Sequence, residues 1–130
     1  MADRSKDWFA QAERDLRHAH NARACEDHEW ACFAAQQAAE KAVKAVYQRL
    51  GAEGWGHSVK QLLETLAEHE DVPSGLREAG LALDRYYIPT RYPNGFPQGV
   101  PGEYFLAKDA DEAIDHANRI LEFVRLRLGL

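Results

Sequence analysis

The sequence predicts an all-α protein: an up-and-down bundle of four principal helices with an additional short helix, and a long proline-, glycine- and aromatic-rich loop before the last helix. Three observations carry that prediction. Apolar residues recur at helical spacing along most of the chain, no stretch alternates apolar and polar residues as a half-buried strand does, and there is no internal repeat. At 130 residues, one domain spanning 1–130 accounts for the whole length.

From Ser5 to Ala24 the apolar positions Trp8, Phe9, Ala12, Leu16 and Ala19 fall on one helical face, with Asp7, Glu13, Asp15 and Arg17 between them. After the break CEDHE, the run from Trp30 to Gly51 is dominated by alanines and gathers Lys and Arg toward its end, as the helix dipole favours. Its apolar residues form two stripes. Cys32, Ala35, Ala39, Val43, Val46 and Leu50 make one, and Trp30, Phe33, Ala34, Gln37, Ala38 and Ala45 the other. A helix with two apolar faces is either central in its own bundle or shared with a second subunit, and the sequence reads as a homodimer through this helix, or a dimer of such dimers.

A glycine-rich turn, GAEGWGHS, leads to a shorter helix over Ser58–His69, with Ser58 as N-cap and Gln61 at capping-box spacing. A further helical segment runs over Ser74–Tyr87, with Leu76, Leu83 and Tyr87 on one side. The last helix, Asp109–Leu128, carries Ala110, Ala113, Ile114, Ala117, Ile120, Leu121, Val124 and Leu128 in register, opens with acidic residues and closes with Arg125, Arg127 and Gly129. Between them, Ile88–Lys108 is longer than the connections compact domains usually carry without a function.

Composition narrows the function. With 45% apolar and 28% charged residues the chain is an ordinary globular protein. A net charge of -5 and a pI near 5.6 give no whole-molecule attraction to nucleic acid or anionic lipid, so any phosphate ligand needs a local basic patch. Cys25 and Cys32 form neither a disulfide framework nor a zinc pattern, which suits a reducing compartment. The amino-terminal stretch lacks a signal-peptide pattern and nothing approaches the roughly 18 apolar residues of a membrane span. The reading is a cytoplasmic protein without membrane, metal or cofactor.

No phosphate loop and no nucleophile elbow is present. The six histidines show no metal spacing and read as surface or capping residues, with one exception. His57 immediately precedes a helix N-terminus, where anions are favoured, and Lys60 lies in the first turn. Glu40 reads as the i,i+4 partner of Lys44. Basic and aromatic residues converge only in the segment LDRYYIPTRYPNGFPQGVPGEYF, Leu83–Phe105, which holds four prolines, three glycines and six aromatics. There Arg85 and Arg91 are interleaved with Tyr86, Tyr87 and Tyr92, supplying fork-like donors for phosphate and flat faces for a base. The competing reading is structural: prolines stiffen the connection while Tyr86, Tyr87, Phe96 and Phe105 plug the end of the bundle.

The run FAAQQAAEKAVKAVYQRLG, then HSVKQLLETL, LDRYYIPTRYPN and a final helix opening DADEAIDHANRI resembles the HEPN domain family, the higher eukaryotes and prokaryotes nucleotide-binding domain, over nearly the whole chain. Gln37, Glu40 and Lys44, His57, and TRYPN at Thr90–Asn94 carry the resemblance. It implies a four-helix bundle, commonly homodimeric, and for many prokaryotic members a minimal nucleotidyltransferase partner in a toxin-antitoxin-like pair. Other members of the family are metal-independent ribonucleases with an Arg followed, after four to six residues, by a His across a dimer cleft.

That ribonuclease spacing fails where it belongs. After Arg91 it falls on Phe96, Pro97 and Gln98, and after Arg85 on Thr90, Arg91 and Tyr92. Arg14 with His20 and Arg23 with His28 satisfy the spacing, but in or just after the first helix, as short patterns do by chance. The resulting expectation is a binding and interaction module with no catalytic residue, which holds a nucleotide or RNA phosphate through Arg85, Tyr87, Arg91, Tyr92, His57 and Lys60. In it Arg91 makes a bidentate phosphate contact and Tyr87 or Tyr92 stacks on a base. The alternatives are a ribonuclease that pairs Arg91 with a His from elsewhere in the dimer, such as His57, and a structural adaptor without ligand.

Overall fold

The computed structural model describes residues 2–130. Five α-helices and two short 3-10 turns make up the chain, with no strand among the described residues. The helices are α1 Ser5–Ala24, α2 His28–Arg49, α3 Val59–Leu66, α4 Ser74–Asp84 and α5 Ala107–Leu128, and the turns are Pro93–Gly95 and Pro101–Glu103. None of these helices is long and apolar enough to cross a membrane. Helix α2 is central: it packs along α1 and α5 and touches α3 and α4, which together form the broken fourth leg of the bundle.

The centrality of α2 explains its two apolar stripes within one chain. Ala31, Cys32, Ala34, Ala35, Ala38, Ala39, Ala42, Val43, Ala45 and Val46 are all buried, against Ala12, Ala19 and Ala22 of α1 and Ala110, Ala113 and Ala117 of α5 among others in one continuous core. Small side chains at so many facing positions let the helix axes come close. Burial pushes the Cys32 thiol up to about 12, so it behaves as a small apolar core residue. Four residues assigned to the stripes lie outside the core: Phe33 and Gln37 are half-buried, Trp30 is 46% exposed, and Leu50, 45% exposed, caps the helix after its last turn.

Helix ends differ from expectation where side chains intervene. Ser58 Oγ accepts from the Gln61 amide at 3.1 Å, as the capping pattern predicts, but the Gln61 side chain donates to Thr65 Oγ1 instead of returning to the cap. Helix α3 ends at Leu66, short of His69, in a turn closed by Glu70 N–H on Leu66 O. Helix α4 ends at Asp84, short of Tyr87: the backbone tightens into i→i+3 turns at Tyr86 and Tyr87, and Pro89 has no N–H to donate to Arg85 O. The Asp84 carboxylate turns onto the start of α3, where Oδ1 accepts from Val59 N at 2.6 Å and Oδ2 from Ser58 Oγ at 2.7 Å. Helix α5 starts two residues earlier than expected, with the Asp109 carboxylate accepting from Leu106 N at 2.8 Å. α3 and α4 touch backbone to backbone at Gly80, where a Cβ would stand 2.9 Å from Lys60 N.

The proline-rich segment is folded back on the bundle. Phe96 stacks on Tyr104 with centroids 4.1 Å apart, Phe105 meets Phe96 and Tyr86 edge-on, and Pro101 is buried at the start of the second 3-10 turn, which rests on α2. Tyr86 is buried enough to push its phenol up to about 12. The plugging role therefore belongs to Tyr86, Phe96 and Phe105. Tyr87 faces elsewhere.

Candidate functional site

On α2, Gln36, Glu40 and Lys44 occupy one line of an otherwise alanine-rich helix, four residues apart, and so lie on one face. Gln36 is fully buried and Glu40 5% exposed. A buried carboxylate needs partners, and this one has three. Lys44 Nζ donates to Oε2 at 3.0 Å, Gln36 Nε2 to Oε1 at 3.1 Å, and His57 Nδ1 stands 3.2 Å from both oxygens. Gln36 Nε2 also donates to His57 O at 3.2 Å, and its own Oε1 accepts from Gln37 Nε2 at 2.8 Å. The pairing of Glu40 with Lys44 expected from spacing is present, and it is one contact in a network that fixes the His57 ring. With Nδ1 on the carboxylate, the half-exposed imidazole has Nε2 to offer.

The other face of this network is aromatic. His57 lies on Tyr87 with centroids 4.5 Å apart and planes 17° from parallel. Arg91 Cζ is 4.7 Å from the Tyr87 centroid, 4.4 Å from that of Phe33 on α2 and 5.2 Å from that of Tyr92. Thr90, buried, donates through Oγ1 to Tyr86 O at 2.7 Å and anchors the turn from which Arg91 projects. Arg91 Nε and one terminal nitrogen donate to Tyr87 O at 2.8 and 2.5 Å. Two of the five guanidinium N–H groups are thereby used, and no carboxylate pairs with Arg91 among the described residues.

His57, Tyr87, Arg91 and Tyr92 thus come together, and Lys60 and Arg85 do not join them. Lys60 turns down its own helix to pair with Glu64 at 2.9 Å. The first-turn amides of α3, where an anion was expected, already face a carboxylate: beyond Val59 N, Lys60 N donates to Asp84 Oδ2 at 3.3 Å. Arg85 is exposed and makes no hydrogen bond or ion pair with the cluster among the described residues. Phe33, Gln36 and Glu40 are the members that sequence reasoning did not place in the site. The signal available for the last two was a line of polar residues through an alanine field, since a buried polar side chain must be meeting something.

Arranged this way, the cluster offers an uncompensated, laterally held guanidinium with three N–H groups free, flat aromatic faces around it, and an imidazole held by a carboxylate. Those are the means to grip an oxyanion and a planar ring together.

Comparison with known proteins agrees with the fold. Residues 5–127 match the family model described as HEPN domain. Among solved structures, TT1696 from Thermus thermophilus is 48% identical over 95% of this chain and 98% of its own, with a TM-score of 0.92. ST0689, an archaeal HEPN homologue, is 42% identical over 97% and 98%, with a TM-score of 0.82. A HEPN domain protein from Thermotoga maritima, tm0613, is 35% identical over 95% and 98%, with a TM-score of 0.78. No curated protein matches the chain significantly. The helical bundle, the near-complete family match and three relatives of one fold at this identity place the chain in the HEPN domain family.

Proposed function

We propose that this HEPN module binds the phosphate of a nucleotide or of RNA at Arg91, without catalysing its turnover, and works with a minimal nucleotidyltransferase partner in a toxin-antitoxin-like pair. The observation that carries the binding reading is the state of Arg91: held by Tyr87 O, flanked by Phe33, Tyr87 and Tyr92, with no carboxylate to neutralise it. A guanidinium fixed in this way has already lost its rotamer freedom and keeps a fork for two phosphate oxygens. Tyr92, 50% exposed, is the ring available to a base. The test is thermal unfolding with a panel of nucleotides and short RNAs, on the wild type and on Arg91→Ala and Arg91→Lys. A ligand of the native state raises the midpoint by mass action. The expected result is a rise that both variants lose, since lysine keeps the charge but not the fork. No rise with any member of the panel leaves the adaptor reading.

A ribonuclease is the second reading, and the Glu40–His57 contact favours it. An imidazole oriented by a carboxylate, next to a phosphate-binding Arg, has the components of general acid-base catalysis. Metal-free RNA cleavage lost in His57→Ala would establish it, and absence of cleavage by purified protein would exclude it.

Self-association belongs to the same proposal. Besides the outer face of α2, through which the sequence reads as a homodimer and where Trp30 is 46% exposed, an apolar groove of about 690 Å³ between α4 and α5, lined by Pro73, Leu76, Phe123 and the 73% exposed Leu126, suits a second chain.

A further inference from the structure

We propose that the Arg91 site is one end of a longer groove, running over the outer faces of α2 and α1, that takes a single-stranded oligonucleotide of several residues. The inference rests on the Arg91 reading and extends it from a single phosphate to a polymer.

Continuity is the first argument. Phe33, whose ring underlies the Arg91 guanidinium, also meets Trp30 edge-on at 6.2 Å, and both line a hollow of about 230 Å³ with His18, Gln37 and Lys41. Lys41 is shared with a second hollow of about 530 Å³ that reaches Arg14 and Trp8 on α1. Along α2 alone, Trp30 to Lys41 advances about 16 Å, several steps of a strand and more than one nucleotide occupies.

Charge is the second. The chain carries -5 overall, yet the α1 side of this surface presents Arg14 and Arg17, which line a hollow with Asp15 and His18 and form no ion pair among the described residues. Lys41 and Asp15 neutralise each other at 2.6 Å and leave those arginines uncompensated. The third argument is the mixture of groups. Arg91, Arg14 and Arg17 share this surface with the exposed or half-buried rings of Phe33, Trp30 and Trp8, and cations together with flat faces match a ligand that carries both phosphates and bases. The rings accept any base, so the groove selects for an unpaired strand and not for a sequence.

The test compares uridine monophosphate with a labelled oligouridylate of about ten nucleotides on wild type and on the double variant Arg14→Ala/Arg17→Ala. Both arginines are solvent-facing, so the variant folds, and circular dichroism checks it. The wild type is expected to bind the oligomer at least about tenfold more tightly than the monophosphate. The double variant loses that advantage and leaves monophosphate affinity unchanged, and the slope of log K against log salt falls by about 1.4, two single-strand phosphate contacts. An oligothymidylate arm tells ribose from deoxyribose, and tight binding of either keeps the groove. Equal affinity for monomer and oligomer, an unaffected double variant, or equal competition by duplex RNA overturns the groove while the Arg91 site stands. Binding of neither ligand defeats the Arg91 reading itself. A dimer dissociated by Trp30→Glu would hand this face to a second copy and likewise overturn the groove.

Discussion

The imidazole of His57 lies flat on the phenol ring of Tyr87, 4.5 Å away and 17° from parallel, joining the loop before α3 to the end of α4. Tyr87 gives its ring to His57 and its backbone carbonyl to Arg91; its hydroxyl donates to nothing among the described residues. Tyr87→Phe is therefore expected to leave stability and ligand affinity unchanged within about 0.5 kcal/mol, whereas Tyr87→Ala costs about 1–2 kcal/mol in denaturant unfolding and removes the ligand response.

Glu40 holds Gln36, Lys44 and His57 at once. Replacing it by alanine leaves a largely buried Lys44 ammonium without its acceptor and the Gln36 amide with His57 O alone, and is expected to destabilise by about 2 kcal/mol, seen as a lower denaturant midpoint at unchanged slope. Glu40→Gln keeps the shape and costs less. In the ribonuclease reading that variant also slows cleavage, because the imidazole loses its orienting charge.

Gly80→Ala tests the α3–α4 contact. Its Cβ would meet Lys60 N at 2.9 Å and Lys60 Cα at 3.1 Å, both backbone atoms that cannot swing aside. The expected loss is about 2 kcal/mol despite the better helix propensity of alanine, and a calorimetric midpoint lowered by several degrees would show it.

The pair of Glu70 with Arg127 predicts a pH dependence. The Arg127 guanidinium donating to the carboxylate holds Glu70 below its ordinary value of 4.5. A carboxylate depressed in the folded state binds its proton more weakly there than when unfolded, so its contribution is complete above pH 4.5 and disappears as pH falls through the lower folded value. The pair is partly solvated, so the amount is about 0.5 kcal/mol. Denaturant unfolding of the wild type and Glu70→Gln should differ at pH 7 and converge in acid, and a difference that persists in acid contradicts the assignment.

Self-association through the α4–α5 groove predicts that Leu126→Asp lowers the sedimentation mass and leaves nucleotide affinity at Arg91 unchanged, since the two surfaces share no residue. Loss of binding together with loss of mass would instead require a site completed by the second chain.

Much of this fold is legible in the sequence because alanine and leucine periodicity is a local property. The bounds of α1 follow from it directly, and the broken leg shows at the Pro73 interruption. The contacts at the helix ends are less legible because distant side chains make them: Asp84 turns toward α3, and no spacing rule connects residue 84 to residue 59. In the site, Arg91 with Tyr87 and Tyr92 can be read from one short stretch, and His57 from its position before a helix. Phe33 and Glu40 cannot, because only the packing of the loops onto α2 brings an arginine over one and a histidine onto the other. The same packing sends Lys60 to Glu64 and gives the α3 amides to Asp84.

That occupied helix end has one further consequence. Asp84 is bonded to Ser58, the residue after His57, and stands three residues before Tyr87, so a single carboxylate sets the position of both stacked rings. The cleft is held by the chain's own contacts. In the phosphate-binding proposal, recognition there resembles a key meeting a finished lock, and little of the binding energy is diverted into ordering loops. Residence time, more than the rate of capture, is then what distinguishes one ligand from another.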